Sequence, residues 1–325
     1  MDKRKLGRTG LDVSLLGFGC GAVGGLMVRG NAADQERAVA RALEAGINYF
    51  DTAVAYGNGA SEENLGRVLA KLRPDIFLST KFTILPEHKG RIGEAVAASL
   101  EASLGRLGRE SVDLLQLHNR IASSGNDRPL APEIVIDEVA PALDALKRQG
   151  KIRFAGITAL GDTGALHRVV DSGVFDTAQI VYNLLNPSAA GRLPRLLPGQ
   201  DFQALLTRAH QAGMGTIGIR VLAGGALSGS EARHPTGMAE VAPIASGPDY
   251  AADVRAAHRF DKLLAEGHAA SLPEAALRFA IAQQAMTTVL IGTSTLEQLE
   301  AAIAAAEKGP LPREALDRVA ALTRG

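Results

Sequence analysis

Two alternating rhythms organise the apolar residues of this chain. Short runs rich in β-branched residues end in a polar residue or a glycine, at positions 13–17, 48–51, 76–81, 112–118, 152–158, 178–182, 215–220 and 289–292. Between them lie alanine- and leucine-rich stretches with helical spacing: 34–45, 61–71, 91–107, 136–149, 163–172, 201–212, the pair 253–266 and 272–285, and 296–305. Leu100, Leu104 and Leu107 fall on one helix face, as a helix covering a sheet requires. Ser61 reads as a helix cap ahead of Glu63 and Asn64, Gly46 and Gly150 as helix stops, and Pro273 as a first-turn proline after Ser271. Strands alternating with helices imply a parallel sheet with right-handed crossovers. Eight such units without an evident linker predict one α/β domain over residues 1–325, a closed (β/α)8 TIM barrel, with a doubly wound open sheet as the alternative.

Two stretches break the rhythm. Residues 5–15 carry the turn signal Arg8-Thr9-Gly10 and are expected to form an N-terminal hairpin plugging the barrel floor. Long loops are expected after the fourth strand, over 119–133, and after the seventh, over 223–248. The second is rich in Gly, Ser, Ala and Pro. It opens where barrels bind phosphate, so it reads as a cofactor lid, with a loose insertion as the alternative.

Composition narrows the field. The 325 residues include 35 basic and 35 acidic ones, a balance that gives no general pull on polyphosphate, so no nucleic-acid partner is expected. A single cysteine, Cys20, excludes an internal disulfide and suits a reducing, cytoplasmic setting. No apolar run reaches the roughly 18 residues a membrane span needs. The basic start (Lys3, Arg4, Lys5, Arg8) ahead of an apolar run is too glycine-rich, with Asp12 at its entry, for a signal peptide. No unpaired apolar stripe demands a partner, so a monomer is the default.

Barrel chemistry sits at the carboxyl ends of the strands. There the second strand delivers Asp51, its loop delivers Tyr56, the third strand Lys81 and the fourth His118. Singly each has an ordinary explanation: a helix-capping aspartate, a rim aromatic, a solvated lysine, a structural histidine. Three adjacent strands placing ionisable groups at one end, with a phenol one loop away, is the informative combination. A phenol titrates near 10, and an ammonium about 4 Å away is worth roughly 4 kcal/mol at an effective dielectric of 20. Lys81 is therefore expected to lower Tyr56 by up to about two or three units, with Asp51 keeping Lys81 charged and aimed. His118 would orient a substrate oxygen. The seven histidines show no metal-ligand spacing, so no metal is expected, and neither a Gly-x-Ser-x-Gly elbow nor a phosphate-binding Gly-x-x-x-x-Gly-Lys loop occurs. Lys81 as a Schiff-base nucleophile in an aldolase-like barrel is the rival chemistry.

The text around these residues resembles the aldo-keto reductase family. The match runs through Gly46-Ile47-Asn48-Tyr49-Phe50-Asp51-Thr52-Ala53 to Tyr56-Gly57, then Ser61-Glu62-Glu63-Asn64-Leu65-Gly66 and Ser79-Thr80-Lys81. It continues in Asp113-Leu114-Leu115-Gln116-Leu117-His118 and Gly150-Lys151-Ile152-Arg153-Phe154-Ala155-Gly156-Ile157. The opening Lys5-Leu6-Gly7-Arg8-Thr9-Gly10 is similar too. The resemblance implies a nicotinamide cofactor lying across the strand ends, with Tyr56 as general acid for carbonyl reduction and general base for alcohol oxidation. Asp51 and Lys81 then tune Tyr56, and His118 orients the carbonyl.

Carried over residue by residue, the cofactor contacts fall on Thr158 and Gln179 for the nicotinamide carboxamide, with Ala159 replacing the usual asparagine. Ile219 stands where the family often stacks an aromatic. Arg220 reads as a diphosphate or substrate contact or as half of a structural ion pair, and Leu222, Gly224 and Leu227 follow on the same loop. Gly292, Thr293, Ser294 and Gln298 resemble the segment that holds the adenosine phosphate at a helix N-terminus. By the resemblance Ser294 and Gln298 match contacts that hold a 2′-phosphate without arginine, so NADP is expected ahead of NAD. Ala301 and Ala302 replace an adenine-gripping Glu-Asn pair and no cation lies nearby in sequence, so the margin is modest. The loop after His118 is polar (Asn119, Arg120, Ser123, Ser124, Asn126, Asp127), and Asn119 is the expected substrate contact. With no tryptophan and 4% aromatic residues, small polar carbonyl compounds or sugars fit better than large ring systems. A cofactor-sensing subunit of a larger assembly, built on the same barrel, is the alternative function.

Overall fold

The computed structural model describes residues 1–124 and 129–324. A closed barrel of eight strands runs in the order β3 (Leu16–Gly19), β4 (Tyr49–Asp51), β5 (Phe77–Phe82), β6 (Val112–Leu117), β7 (Ile152–Thr158), β8 (Thr177–Val181), β9 (Gly215–Ile219) and β10 (Thr288–Ile291). Every neighbouring pair is parallel, and β10 closes on β3. The expected (β/α)8 architecture is therefore present. Helices cover the outside, and the face of Ile92–Leu107 bearing Leu100, Leu104 and Leu107 is buried, each side chain contributing about 1.5–3 kcal/mol.

The N-terminal hairpin consists of β1 (Lys3–Lys5) and β2 (Asp12–Ser14), paired antiparallel. Its Leu6, Leu11 and Val13 pack against the barrel-interior residues Tyr49, Leu114 and Ile217, which seals the floor. Gly7 makes this contact possible. Its φ is +50°, and a β-carbon there would sit 2.6 Å from the Gly213 oxygen. The predicted first strand, 13–17, straddles two elements: Val13 and Ser14 end the hairpin, and the barrel strand begins at Leu16. An uninterrupted apolar run hides that break.

Other boundaries also shift. Ser61 is not a cap; the Ala60–Leu72 helix starts after Gly59, in the left-handed region at φ +96°. Ser271 does cap its helix, accepting from the Glu274 N–H. The helix expected over 201–212 is confined to Leu205–Gln211, and that over 136–149 is continuous with a turn from Pro132 through a five-residue π segment, Val135–Val139. After a 3-10 stretch, Ala223–Ser228, the long loop crosses the mouth to the segment after β3. Met238 N–H bonds the Val23 carbonyl at 3.1 Å, and Arg29 Nε bonds that of Thr236 at 2.7 Å.

Candidate active site

Side chains alternate across a strand, so Ser79 and Lys81 of β5 point into the barrel while Thr80 points out. Outside, the Thr80 hydroxyl donates to the buried carboxylate of Glu62, which also accepts from Arg106 Nε at 2.7 Å. Inside, Lys81 is fully buried and uses all three ammonium protons: on Asp51, on the Thr52 carbonyl at 2.9 Å and on the Tyr56 oxygen at 3.0 Å. A buried ammonium with every proton placed is rigid, and its direction is fixed by its partners.

The loop that presents Tyr56 is pinned from beneath. Ser61 Oγ donates to the Cys20 carbonyl at 3.0 Å and lies 2.8 Å from Thr52 Oγ1. A turn from Ala53 O to Tyr56 N at 3.0 Å then lifts the phenol over Lys81, where Gly21 borders its ring. The His118 ring stands edge-on to it, centroids 5.7 Å apart. Thus Asp51, Tyr56, Lys81 and His118 meet at one mouth of the barrel.

The electrostatics correct one expectation. Burial raises the Tyr56 phenol, Lys81 opposes and Asp51 reinforces the rise; the net result lies above the ordinary value, not two or three units below. Sequence shows the charges but not the depth of burial. The site therefore holds a neutral hydroxyl whose oxygen already accepts from Lys81, leaving its own proton free to be donated. Burial lowers Lys81, but Asp51 and Tyr56 more than compensate, so it stays charged. Burial, aided by Lys81, pushes His118 down to about 3, giving a neutral imidazole.

A depressed histidine has a consequence for stability. Between its folded value and about 6.5 the unfolded chain binds the extra proton, so stability is lost as pH falls through that window. We expect His118→Phe to show a shallower decline of melting temperature between about pH 6.5 and 4 than the parent. Parallel curves would show that His118 is not held neutral.

The remaining expected contacts divide. Gln179 Nε2 donates to Asp51 Oδ1 at 2.7 Å, and Thr158 Oγ1 lies 3.4 Å from Gln179 Oε1, so both are buried in the polar layer around Asp51. Arg220 has φ +55°, and its Nη1 reaches only the Ala242 carbonyl, at 3.4 Å. No ion pair to it occurs among the described residues. Burial lowers it, and Tyr56 is among the groups that feel its charge. Leu222, Ala223, Gly224 and Gly225 bend sharply, the last three at positive φ, a backbone shape that suits anions. Leu227 is turned wholly into the core.

Gly292, Thr293 and Ser294 lie against the segment after β3: Leu26 N–H bonds the Thr293 carbonyl at 3.1 Å, and Ser294 Oγ donates to that of Gly24 at 2.6 Å. Gln298 folds back to accept from Ser294 N–H at 2.8 Å. The fold also brings a cation that spacing did not reveal, Arg41, which is paired with Glu300 at 2.7 Å. Asn119 is corrected as a substrate contact. Its buried amide accepts from the Ile84 N–H at 2.8 Å and donates to the Ile84 carbonyl at 2.9 Å, bracing one loop against another. Asn126 and Asp127 lie outside the described residues.

Two participants escaped the sequence reading. Glu62 braces β5 from outside. Gln116, two residues before His118 and so on the same face of β6, donates to Asp51 Oδ1 at 3.1 Å. The alternation that placed His118 was the signal for Gln116 as well.

A phenol, an ammonium, a carboxylate and a neutral imidazole thus meet at the mouth of a closed parallel barrel. Residues 15–324 match the model of the aldo/keto reductase family, and the chain belongs to that family. It is 31% identical to L-galactose dehydrogenase of Arabidopsis thaliana, over 99% of this chain and 94% of that protein. It is 26% identical to the NADH-specific methylglyoxal reductase of Escherichia coli, over 94% and 93%. A holo-form aldo-keto reductase from Bacillus halodurans superposes with a TM-score of 0.72 at 27% identity, covering 100% of this chain and 97% of that one. The protein is an oxidoreductase.

Proposed function

We propose that the protein interconverts a small polar aldehyde, ketone or aldose and its alcohol or lactone, with Tyr56 as general acid and base and a nicotinamide cofactor as the hydride partner. One observation carries this reading: Lys81 gives its protons to Asp51, Thr52 and the Tyr56 oxygen, so the proton left to move at this centre is the phenol's own. In reduction Tyr56 hands that proton to the substrate oxygen, and the charged Lys81 steadies the phenolate that results. Neutral His118 offers an N–H to the same oxygen and sets its direction.

The donor set fits a dinucleotide. Thr158 and Gln179 bring a hydroxyl and an amide beside Asp51, the bent backbone at 222–225 suits a diphosphate, and the 292–298 segment leads into a helix N-terminus. When bound, the nicotinamide supplies or accepts the hydride. Arg220, with only a long bond to Ala242, completes the cationic side of the mouth.

We favour NADP over NAD on the polar Ser294 and Gln298 beside a helix N-terminus, and only by a small factor because Arg41 is committed to Glu300. Gln298→Arg is expected to tighten NADPH more than NADH, measured by fluorescence titration; an unchanged ratio would misplace the phosphate. The relatives' printed names, a sugar dehydrogenase and a methylglyoxal reductase, agree with small oxygenated substrates. The deciding experiment is turnover of aldehydes, ketones and sugars with each redox form of both cofactors. Absence of turnover across such a panel would overturn the proposal. A cytoplasmic monomer is the simplest setting for it.

A further inference from the structure

Beneath the four chemical residues lies a polar layer that the reaction as described does not use. Gln116 is fully buried, and its Nε2 donates to Asp51 Oδ1 at 3.1 Å and to Ser79 Oγ at 2.7 Å. The reverse amide orientation would turn an oxygen toward the carboxylate, so the network fixes the assignment. Gln179 donates to the same Oδ1, while Oδ2 takes Lys81. Asp51 is thus gripped by one ammonium and two neutral amides.

The far end of Gln116 is unusual. Its Oε1 has no hydrogen-bond partner among the described residues, and neither has Thr177 Oγ1. Both border the α-carbon of Gly156, where an added β-carbon would collide with Thr177 Oγ1 and lie 3.3 Å from Gln116 Oε1. The missing side chain at Gly156 is what lets the Gln116 chain and the Thr177 hydroxyl pack against β7 here.

We propose that Gln116 is a positioning residue for proton transfer by Tyr56. It holds Asp51 in the orientation that aims Lys81 at the phenol oxygen. The inference rests on the tyrosine reading above. Gln116 acts only through Asp51 and Lys81. An apolar residue in its place leaves Oδ1 with one donor, frees the carboxylate to turn and slackens Lys81's hold on Tyr56.

A carboxyl at this position gives a distinctive pH signature. The titratable groups around it are Asp51, Lys81, Tyr49, Tyr56, Cys20 and His118. Lys81, both phenols and the thiol are held above their ordinary values and His118 far below its own. The introduced carboxyl directs its proton to Asp51 at low pH and loses it as pH rises, leaving two like charges face to face.

The test measures kcat, KM and cofactor Kd across pH for Gln116→Met, Gln116→Glu and Ser79→Ala. Gln116→Met is expected to lose kcat about tenfold or more at every pH, with KM and cofactor Kd within about twofold. Gln116→Glu should approach the parent at low pH, where the shared proton still bonds Asp51, and fall as pH rises. Ser79→Ala, which removes the hydroxyl that accepts from Gln116 Nε2, should lose about two- to threefold in kcat. A Gln116 that merely fills space would give a methionine variant with parental kcat and a glutamate variant without acid recovery, and that result overturns the inference. If Gln116→Met does not fold, parental kcat and pH profile in the other two variants overturn it equally. A parent that turns over through Tyr56 beside a fully active Gln116→Met sinks this inference alone. Parental turnover in Tyr56→Phe sinks the reading it rests on.

Discussion

Tyr56→Phe is expected to lower carbonyl reduction by about three orders of magnitude while leaving cofactor affinity within a few-fold. General acid catalysis contributes about 10²–10⁴-fold, and the deleted oxygen also forfeits the Lys81 bond that prepares it for ionisation. The ring remains, so its edge contact with His118 and its packing beside Gly21 persist. The loop anchor at Ser61 does not involve the hydroxyl. Single-turnover reduction beside cofactor titration checks both halves. Turnover within tenfold of the parent would mean that another group gives the proton.

Lys81→Met carries the second large effect, on the fold as well as on turnover. It strands the Asp51 carboxylate, 2% exposed, with amides but no cation. Breaking a buried pair from one side costs about 3–5 kcal/mol, since desolvation remains when attraction is gone. A fall in melting temperature of roughly 5–15 °C should follow. Adding Asp51→Asn removes the stranded charge and should recover much of that loss, because deleting both members of such a pair is often near neutral. Activity should stay absent in the double variant, since nothing then steadies a phenolate at Tyr56. Melting curves of the two singles and the double close the cycle, and additive losses would show that the two charges are not coupled.

The architecture was legible because strand and helix periods differ, and the chemistry because ionisable residues at strand ends stand out against apolar runs. What stayed hidden depended on contacts distant in the chain. Ser61 has a capping side chain, but its hydroxyl is drawn to Cys20, 41 residues earlier, and the helix starts ahead of it. Asn119 looked available in a polar loop, yet it braces Ile84. Arg41 approaches Glu300 only because the first and last barrel units close on each other. The direction of the Tyr56 shift turned on burial, a property of the packed barrel and not of any motif. Gln116 was overlooked for a simpler reason: an uncharged amide inside a leucine-rich strand resembles filler until its partner is seen.

The hairpin stopper makes the barrel a cul-de-sac. With Leu6, Leu11 and Val13 wedged against Tyr49 and Ile217, traffic of solvent protons to the Asp51 layer runs through the mouth, past Tyr56. A bound substrate would cork that entrance, so the proton delivered in a turnover would be drawn from those already inside.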